Sequence, residues 1–234
     1  YDITCRDWSS DVCSSDLAYG TGAAGTGGIT LGGDYGAVNL SSAGGTIWMW
    51  GVAPPASVGG FGDPGGGGGI HLKNVTINSG STGSVFLKGT GVYDENNIQN
   101  DNGYGLFFET STIIAGSGGM TLTGTAADGD MFGPFPAAIG FTGTASAYTT
   151  DGGTLTVNAN SPSGGTYISC NDATDKLGGV SQNGNIELTF NYTGPDNYPS
   201  YPVIPNITKP TGDLTINSSH QMSIGDLDAG SGQI

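Results

Sequence analysis

The chain has 234 residues, of which 45 are glycine, and its formal net charge is −15 although only 11% of its residues are charged. This acidity repels phosphate groups, which excludes nucleic acid and anionic lipid surfaces as partners. The glycines lack the Gly-X-Y period of collagen, and no apolar run approaches the roughly 18 residues that a membrane span requires. Few charges and abundant Thr, Ser and Asn are typical of a secreted or surface-exposed protein.

One N-terminal segment stands apart from the rest of the chain. Residues 6–17 read RDWSSDVCSSDL, which matches one reading frame of a sequencing-library adapter oligonucleotide. We therefore interpret residues 1–17 as non-native and infer no function from them. Once Cys5 and Cys13 are set aside, Cys170 is the one remaining thiol, which excludes an intramolecular disulfide and leaves no redox or metal spacing.

From residue 18 onward, apolar and polar residues alternate as in half-buried β-strands, and no window has the i, i+3, i+4 spacing of a helix. Alternation places Ile47 and Met49 on one face of a strand and Trp48 and Trp50 on the other. In chain order, the apolar pairs that mark predicted strands are Ile29/Leu31, Val38/Leu40, Ile47/Met49, Ile70/Leu72, Val85/Leu87, Leu106/Phe108, Met120/Leu122, Ile139/Phe141, Leu155/Val157, Ile186/Leu188, Leu214/Ile216 and Met222/Ile224.

Three stretches, residues 69–89, 105–124 and 138–159, repeat one pattern of two short strands, a Gly/Ser/Thr turn and a third strand. Their equivalent apolar pairs recur about every 33–36 residues, a period typical of solenoids, whose units bury their apolar faces only by stacking. Because the pairs recur in register rather than mirrored, we predict an all-β parallel β-helix over residues 18–234. Asn-Gly and Asp-Gly dipeptides leave a set of antiparallel hairpins as the alternative.

Four segments interrupt the repeat and are predicted to be loop excursions. They span residues 58–68, 93–102, 128–136 and 194–212. The last of them holds five of the chain's 11 prolines, and we expect these to exclude it from a central ladder. Loops that project from a rigid scaffold commonly carry recognition, so the excursions are the expected contacts with a host or matrix glycan or protein.

The sequence offers little of what a β-helix enzyme needs. A polysaccharide lyase requires a basic residue beside a carboxylate, but no Arg remains after residue 17, and we expect Lys73 and Lys88 to face solvent. A glycosidase requires two converging carboxylates. The pairs that are close in sequence are Asp172/Asp175 and Asp226/Asp228. Proximity in sequence alone does not bring carboxylates together, so we predict no catalytic residue.

Metal binding is not indicated either. His71 and His220 are isolated in the sequence, and we expect both to face solvent. The acidic groups lack the spacing of a dedicated calcium loop. These groups are Asp94/Glu95/Asp101 and Asp128/Asp130. We therefore predict no metal and no cofactor.

Aromatic side chains are the strongest candidates for ligand binding, since their flat faces can stack on sugar rings. The candidates are Trp48, Trp50, Tyr192, Tyr198 and Tyr201. We favour the alternative that they cap coil ends or cover loops.

Five Asn-x-Ser/Thr sequons, the acceptor pattern for N-glycosylation, are no more than a chain rich in Asn, Ser and Thr is expected to contain. They start at Asn39, Asn74, Asn191, Asn206 and Asn217.

The repeated form G-I/L-x-L/F-x-x-x-T-I…G-x-[apolar]-x-L-x-G-T resembles the repeats of bacterial large exoproteins of the filamentous-haemagglutinin type. The closing MSIGDLDAGSGQI, residues 222–234, looks like another coil of that kind. The resemblance implies a right-handed parallel β-helix and export by two-partner secretion or as an autotransporter passenger, with an outer-membrane transporter as partner during export. It also implies a role in adhesion or biofilm, and it brings no catalytic residues.

We therefore expect a non-catalytic shaft or passenger segment of a secreted or cell-surface bacterial adhesin, and an internal fragment of a longer protein. The alternative is a β-helix carbohydrate-active enzyme, either a polysaccharide lyase or a glycosidase. Converging carboxylates in a groove along the coils would indicate that alternative.

Overall fold

The structure is a computed structural model. It describes residues 15–21, 28–33, 36–53, 68–92, 103–126, 137–162, 166–170, 176–179, 181–193, 203–204, 206–208, 211–219, 223–224 and 227–228. These residues form strands and turns, and none of them belongs to a helix that could cross a membrane.

Each strand is short, and the longest have seven residues. In chain order the strands are β1 (Ser15–Thr21), β2 (Ile29–Gly32), β3 (Val38–Ser41), β4 (Thr46–Val52), β5 (Ile70–Lys73), β6 (Val75–Asn78), β7 (Ser84–Thr90), β8 (Leu106–Glu109), β9 (Thr112–Ala115), β10 (Met120–Thr125), β11 (Ala137–Thr142), β12 (Ser146–Thr149), β13 (Leu155–Ser161), β14 (Thr166–Cys170), β15 (Lys176–Gly178), β16 (Ile186–Tyr192), β17 (Val203–Ile204), β18 (Asn206–Thr208), β19 (Leu214–Ser218), β20 (Ser223–Ile224) and β21 (Leu227–Asp228).

The strands pair in parallel and stack into three long sheets. Sheet A has the order β1-β4-β7-β10-β13-β16-β19, sheet B the order β14-β11-β8-β5-β2, and sheet C the order β21-β18-β15-β12-β9-β6-β3. The chain visits B, C and A in turn, so three strands make one coil, and complete coils follow one another from β2 to β16. The all-β parallel β-helix predicted from the repeat is confirmed. The antiparallel alternative is wrong, because every coil brings the chain back in the same direction.

The core consists of apolar columns that run from coil to coil inside the helix. In sheet B, Leu72, Phe108 and Phe141 are register partners, all fully buried, and the two phenylalanine rings lie 5.2 Å apart between centroids. In sheet A, Leu87 pairs with Leu122 in the same way. Burying one such side chain stabilises the fold by about 1.5–3 kcal/mol. The columns therefore fix the register of the coils.

The corners between sheets B and C are tight turns with left-handed backbone. Asn74 and Thr110 have φ values of 56° and 48°, and Gly143 takes the same position in the next coil with φ 76°. Beside this corner, the buried Ser111 hydroxyl accepts a hydrogen bond of 3.1 Å from the Val75 amide of the preceding coil. A side chain that joins two coils in this way holds the corners in line.

Part of residues 194–212 belongs to the sheets. Strand β18 pairs with β15 on one side and with β21 on the other, and β17 pairs with β20. The expectation that prolines keep this segment out of the ladders is wrong for these residues, because the prolines flank the strands and the residues between them retain their N–H groups. Residues 93–102 and 128–136, and 58–67 of the first excursion, lie outside the described residues.

Strand β1 begins inside the adapter-like segment. Its first three residues, Ser15 to Leu17, pair with Thr46 to Trp48 of β4. Residues 1–14 lie outside the described part of the chain. The non-native origin of residues 1–17 stays a prediction.

Candidate functional site

The long connections of the chain all follow a strand of sheet A, and so they leave the helix from the same corner. Three of them connect a strand of sheet A with the next strand of sheet B, and they comprise residues 53–69, 91–105 and 126–136. The fourth, residues 193–202, connects β16 of sheet A with β17, which pairs with β20. The connections at the other two corners are short. Insertions in a repeat protein commonly gather on one side, often the binding side. Sheets A and B, which flank this corner, are therefore the surfaces on which to seek a site.

The outer face of sheet A carries three aromatic side chains, Trp48, Trp50 and Phe86, and the cation of Lys88 that lies over one of the rings. We call these four side chains the aromatic platform. These side chains alternate with the buried Ile47 and Met49 or their equivalents and so point outward. Trp48 is 47% exposed, Trp50 39% and Phe86 38%. The Trp48 and Phe86 ring centroids lie 6.1 Å apart at 49°, and Lys88 Nζ lies 4.9 Å from the centre of the Trp50 ring.

Polar residues continue the aromatic platform along the helix axis. Thr121 is the register partner of Phe86, and Thr156 that of Thr121. In the neighbouring row, Thr123 follows Lys88 and Asn158 follows Thr123. We call these four side chains the polar rows. They present hydroxyl and amide groups on the same flat face and carry no charge.

The outer face of sheet B carries a different group, built from two coils. His71 and Lys73 lie on β5, and Glu109 lies on β8 directly beside them. Lys73 Nζ is 2.9 Å from Oε1 of Glu109, and His71 Nε2 is 3.4 Å from Oε2 without meeting hydrogen-bond geometry. The Phe107 ring packs between His71, at 5.0 Å, and Tyr104, at 4.7 Å. One carboxylate therefore serves two basic groups.

The expectation that His71 faces solvent is wrong. Its side chain points outward as expected, but only 14% of it is exposed, so it does not face solvent. Burial lowers the pKa of the imidazole below 6.5, because loss of hydration outweighs the opposing pull of the Glu109 carboxylate. His71 is therefore neutral near pH 7. A neutral imidazole beside a carboxylate can accept a proton.

A third feature is an open polar groove at the corner between sheets C and A, with a volume of about 580 Å³. Asp151 is the one charged group among its lining residues. They are Asn78, Gly80, Ser81, Ile114, Thr150, Asp151, Ser181 and Asn183. One carboxylate among amides and hydroxyls is too few for a cation site. Within the described residues no group of three or more His, Cys, Asp or Glu side chains gathers to hold a metal.

The expected position of the two tryptophans is also wrong. Trp48 and Trp50 were expected to cap a coil end or cover a loop, yet β4 lies between β1 and β7, and both rings stand exposed on its outer face. Tyr192 differs from them, because it packs against the core and is half-buried. Asp228 is exposed on β21. The other candidates, which lie outside the described residues, are Asp94, Glu95, Asp101, Asp128, Asp130, Asp172, Asp175, Tyr198, Tyr201, His220 and Asp226.

Three contributors to these faces were not predicted from the sequence. Phe86 belongs to the aromatic platform, and Phe107 and Glu109 enclose His71. Their outward positions could have been read from the alternation, because each lies next to a predicted core residue. Their partners could not, since each partner comes from a neighbouring coil.

Comparisons with protein-family models, with curated proteins and with solved structures find no match to this chain. The assignment of function therefore depends on the geometry of these surfaces.

Proposed function

We propose that this chain is a non-catalytic segment of a secreted or cell-surface bacterial exoprotein of the adhesin type, and that it attaches through the outer face of sheet A. The observation that supports the proposal is the exposed aromatic platform. Large apolar rings that stand exposed side by side on a flat, rigid face are typical of contact surfaces. The stacked coils hold that face in a fixed geometry, which lowers the entropic cost of binding.

The energy available from the aromatic platform suits weak, repeated contact. Covering the exposed parts of Trp48, Trp50 and Phe86 would bury about 250–300 Å². At about 25 cal/mol per Å² this gives roughly 6–8 kcal/mol before the costs of association. One such contact binds weakly. Many such contacts along a long polymer or across a cell surface together give firm attachment, which is what an adhesin requires.

Attachment of beads coated with the full chain to bacterial biofilm and to cultured epithelial cells tests the proposal. The variant that carries Trp48→Ala, Trp50→Ala and Phe86→Ala should lose most of the attachment. The matched control is Tyr148→Ala, which removes an aromatic ring from the outer face of sheet C. If the triple variant attaches as well as the unchanged protein, sheet A is not the adhesive face.

The second candidate function is a carbohydrate-active enzyme, which the His71 and Glu109 pair favours. A neutral imidazole and a carboxylate on a face beside the long connections could serve acid–base chemistry on a sugar chain. Incubation of the full chain with polysaccharides of several classes, followed by measurement of released reducing ends and unsaturated products, tests it. Activity that disappears in Glu109→Gln and in His71→Gln would support the enzyme and contradict the non-catalytic proposal.

A further inference from the structure

We infer that the ligand of the aromatic platform is an uncharged polysaccharide that lies along the helix axis, across the strands of sheet A. This inference rests on the proposed function of the same face. In the inferred complex, sugar rings stack on Trp48 and Phe86, and their hydroxyl groups form hydrogen bonds with the polar rows.

The direction of the track follows from the register. Trp48, Phe86, Thr121 and Thr156 are successive register partners on β4, β7, β10 and β13. Neighbouring strands lie about 4.8 Å apart, so these four side chains form a straight row along the axis. Trp50, Lys88, Thr123 and Asn158 form a second row beside it. From β4 to β13 the face is therefore a two-row track that changes from aromatic side chains to hydroxyl and amide groups.

A sugar chain is the polymer that matches both halves of this track. A pyranose ring has an apolar face of C–H groups, which suits an aromatic ring, and hydroxyl groups around its edge, which suit Thr and Asn. A folded protein partner fits less well, because a stable protein interface covers about 800 Å² on each side, well above the area of the exposed rings. The flat, narrow track instead suits an extended chain.

Charge selects against acidic polysaccharides. The eight side chains of the track contain one cation, Lys88, and no carboxylate, and that cation already lies over the Trp50 ring. The next strand adds Glu187 beyond Thr156. The whole chain carries a net charge of −15, which repels polyanions. An uncharged chain meets none of this repulsion and can use every donor and acceptor of the polar rows.

Retention of the full chain on polysaccharides tests the inference. The probes are insoluble cellulose, chitin and β-glucan, with alginate and heparin gels as polyanions, each at low and high salt. We expect retention on at least one uncharged polysaccharide that salt does not weaken. Trp48→Ala and Phe86→Ala should each weaken it about ten-fold, and Thr121→Val about two- to ten-fold. Trp48→Phe should retain most binding, and Tyr148→Ala should change nothing.

Several results would overturn the inference. One is retention only on alginate or heparin with loss at high salt. Another is retention on uncharged polysaccharide that Trp48→Ala and Phe86→Ala leave unchanged while far-ultraviolet circular dichroism shows both variants folded. A third is retention on no polysaccharide. If attachment of coated beads is still lost in the triple variant, the proposed function stands with another ligand. If that attachment is unaffected, the proposed function fails as well.

Discussion

Gly89 provides a sharp test of how closely the coils approach one another. It lies on β7 in register with Gly51 and Gly124. A Cβ atom there would overlap the carbonyl oxygen of Gly105, and it would lie 2.6 Å from the carbonyl carbon and 2.7 Å from Cδ2 of Leu106. Ordinary contact begins at 3.4 Å, so Gly89→Ala must displace the Gly105 carbonyl at the start of β8 by about 1.5 Å.

This displacement moves backbone rather than a flexible side chain, so the cost should reach the upper end of overpacking, about 3 kcal/mol. For a chain of this length that lowers Tm by about 6–12 °C. Thermal melts followed by far-ultraviolet circular dichroism measure it. The matched control is Gly179→Ala, since a Cβ at Gly179 meets only the Tyr148 ring, at 3.9 Å. If Gly89→Ala has the same Tm as Gly179→Ala, then β7 and the start of β8 lie farther apart than in this structure.

Further predictions concern the core and the face of sheet B. Phe108→Ala should destabilise the fold by about 3–5 kcal/mol in denaturant unfolding, because the fully buried ring leaves a cavity between two coils. Ser111→Ala should cost about 1–3 kcal/mol in the same assay, because the buried Val75 amide loses its acceptor. His71 has a pKa lowered in the folded state, so the unfolded chain binds more protons as the pH falls below about 6.5. The stability of the unchanged protein should therefore decrease in that window, and the decrease should be smaller in His71→Gln. An equal decrease in both proteins would refute the role of His71. If Phe108→Ala and Ser111→Ala lose less free energy of unfolding than these ranges, the ring or the hydroxyl is not buried between the coils as described.

The alternating apolar pairs were enough to predict the core of this protein. Leu72, Phe108 and Phe141 recur at a nearly constant spacing, and only stacked coils place all three in one column. The outward direction of Trp48 and Trp50 followed from the same alternation. The parallel course of the strands followed from the unmirrored order of the pairs.

The faces could not be predicted in the same way, because their contacts join residues from different coils. Trp48 meets Phe86, and His71 meets Glu109, only when the register between coils is known. That register depends on the length and path of each connection, which alternation does not determine. The burial of His71 followed from the side chains of β8, so a histidine that is isolated in sequence proved to be enclosed in the structure.

The most direct test of the central claim uses the intrinsic fluorescence of the aromatic platform. The chain has three tryptophans, and Trp8→Phe leaves Trp48 and Trp50 as the reporters. Emission in the free protein should be that of water-exposed indole and readily quenched by acrylamide, because both rings are exposed. Addition of the uncharged polysaccharide should shift the emission to shorter wavelength and protect it from quenching. If the ligand binds while emission and quenching stay unchanged, Trp48 and Trp50 do not contact it, and the account of sheet A is wrong.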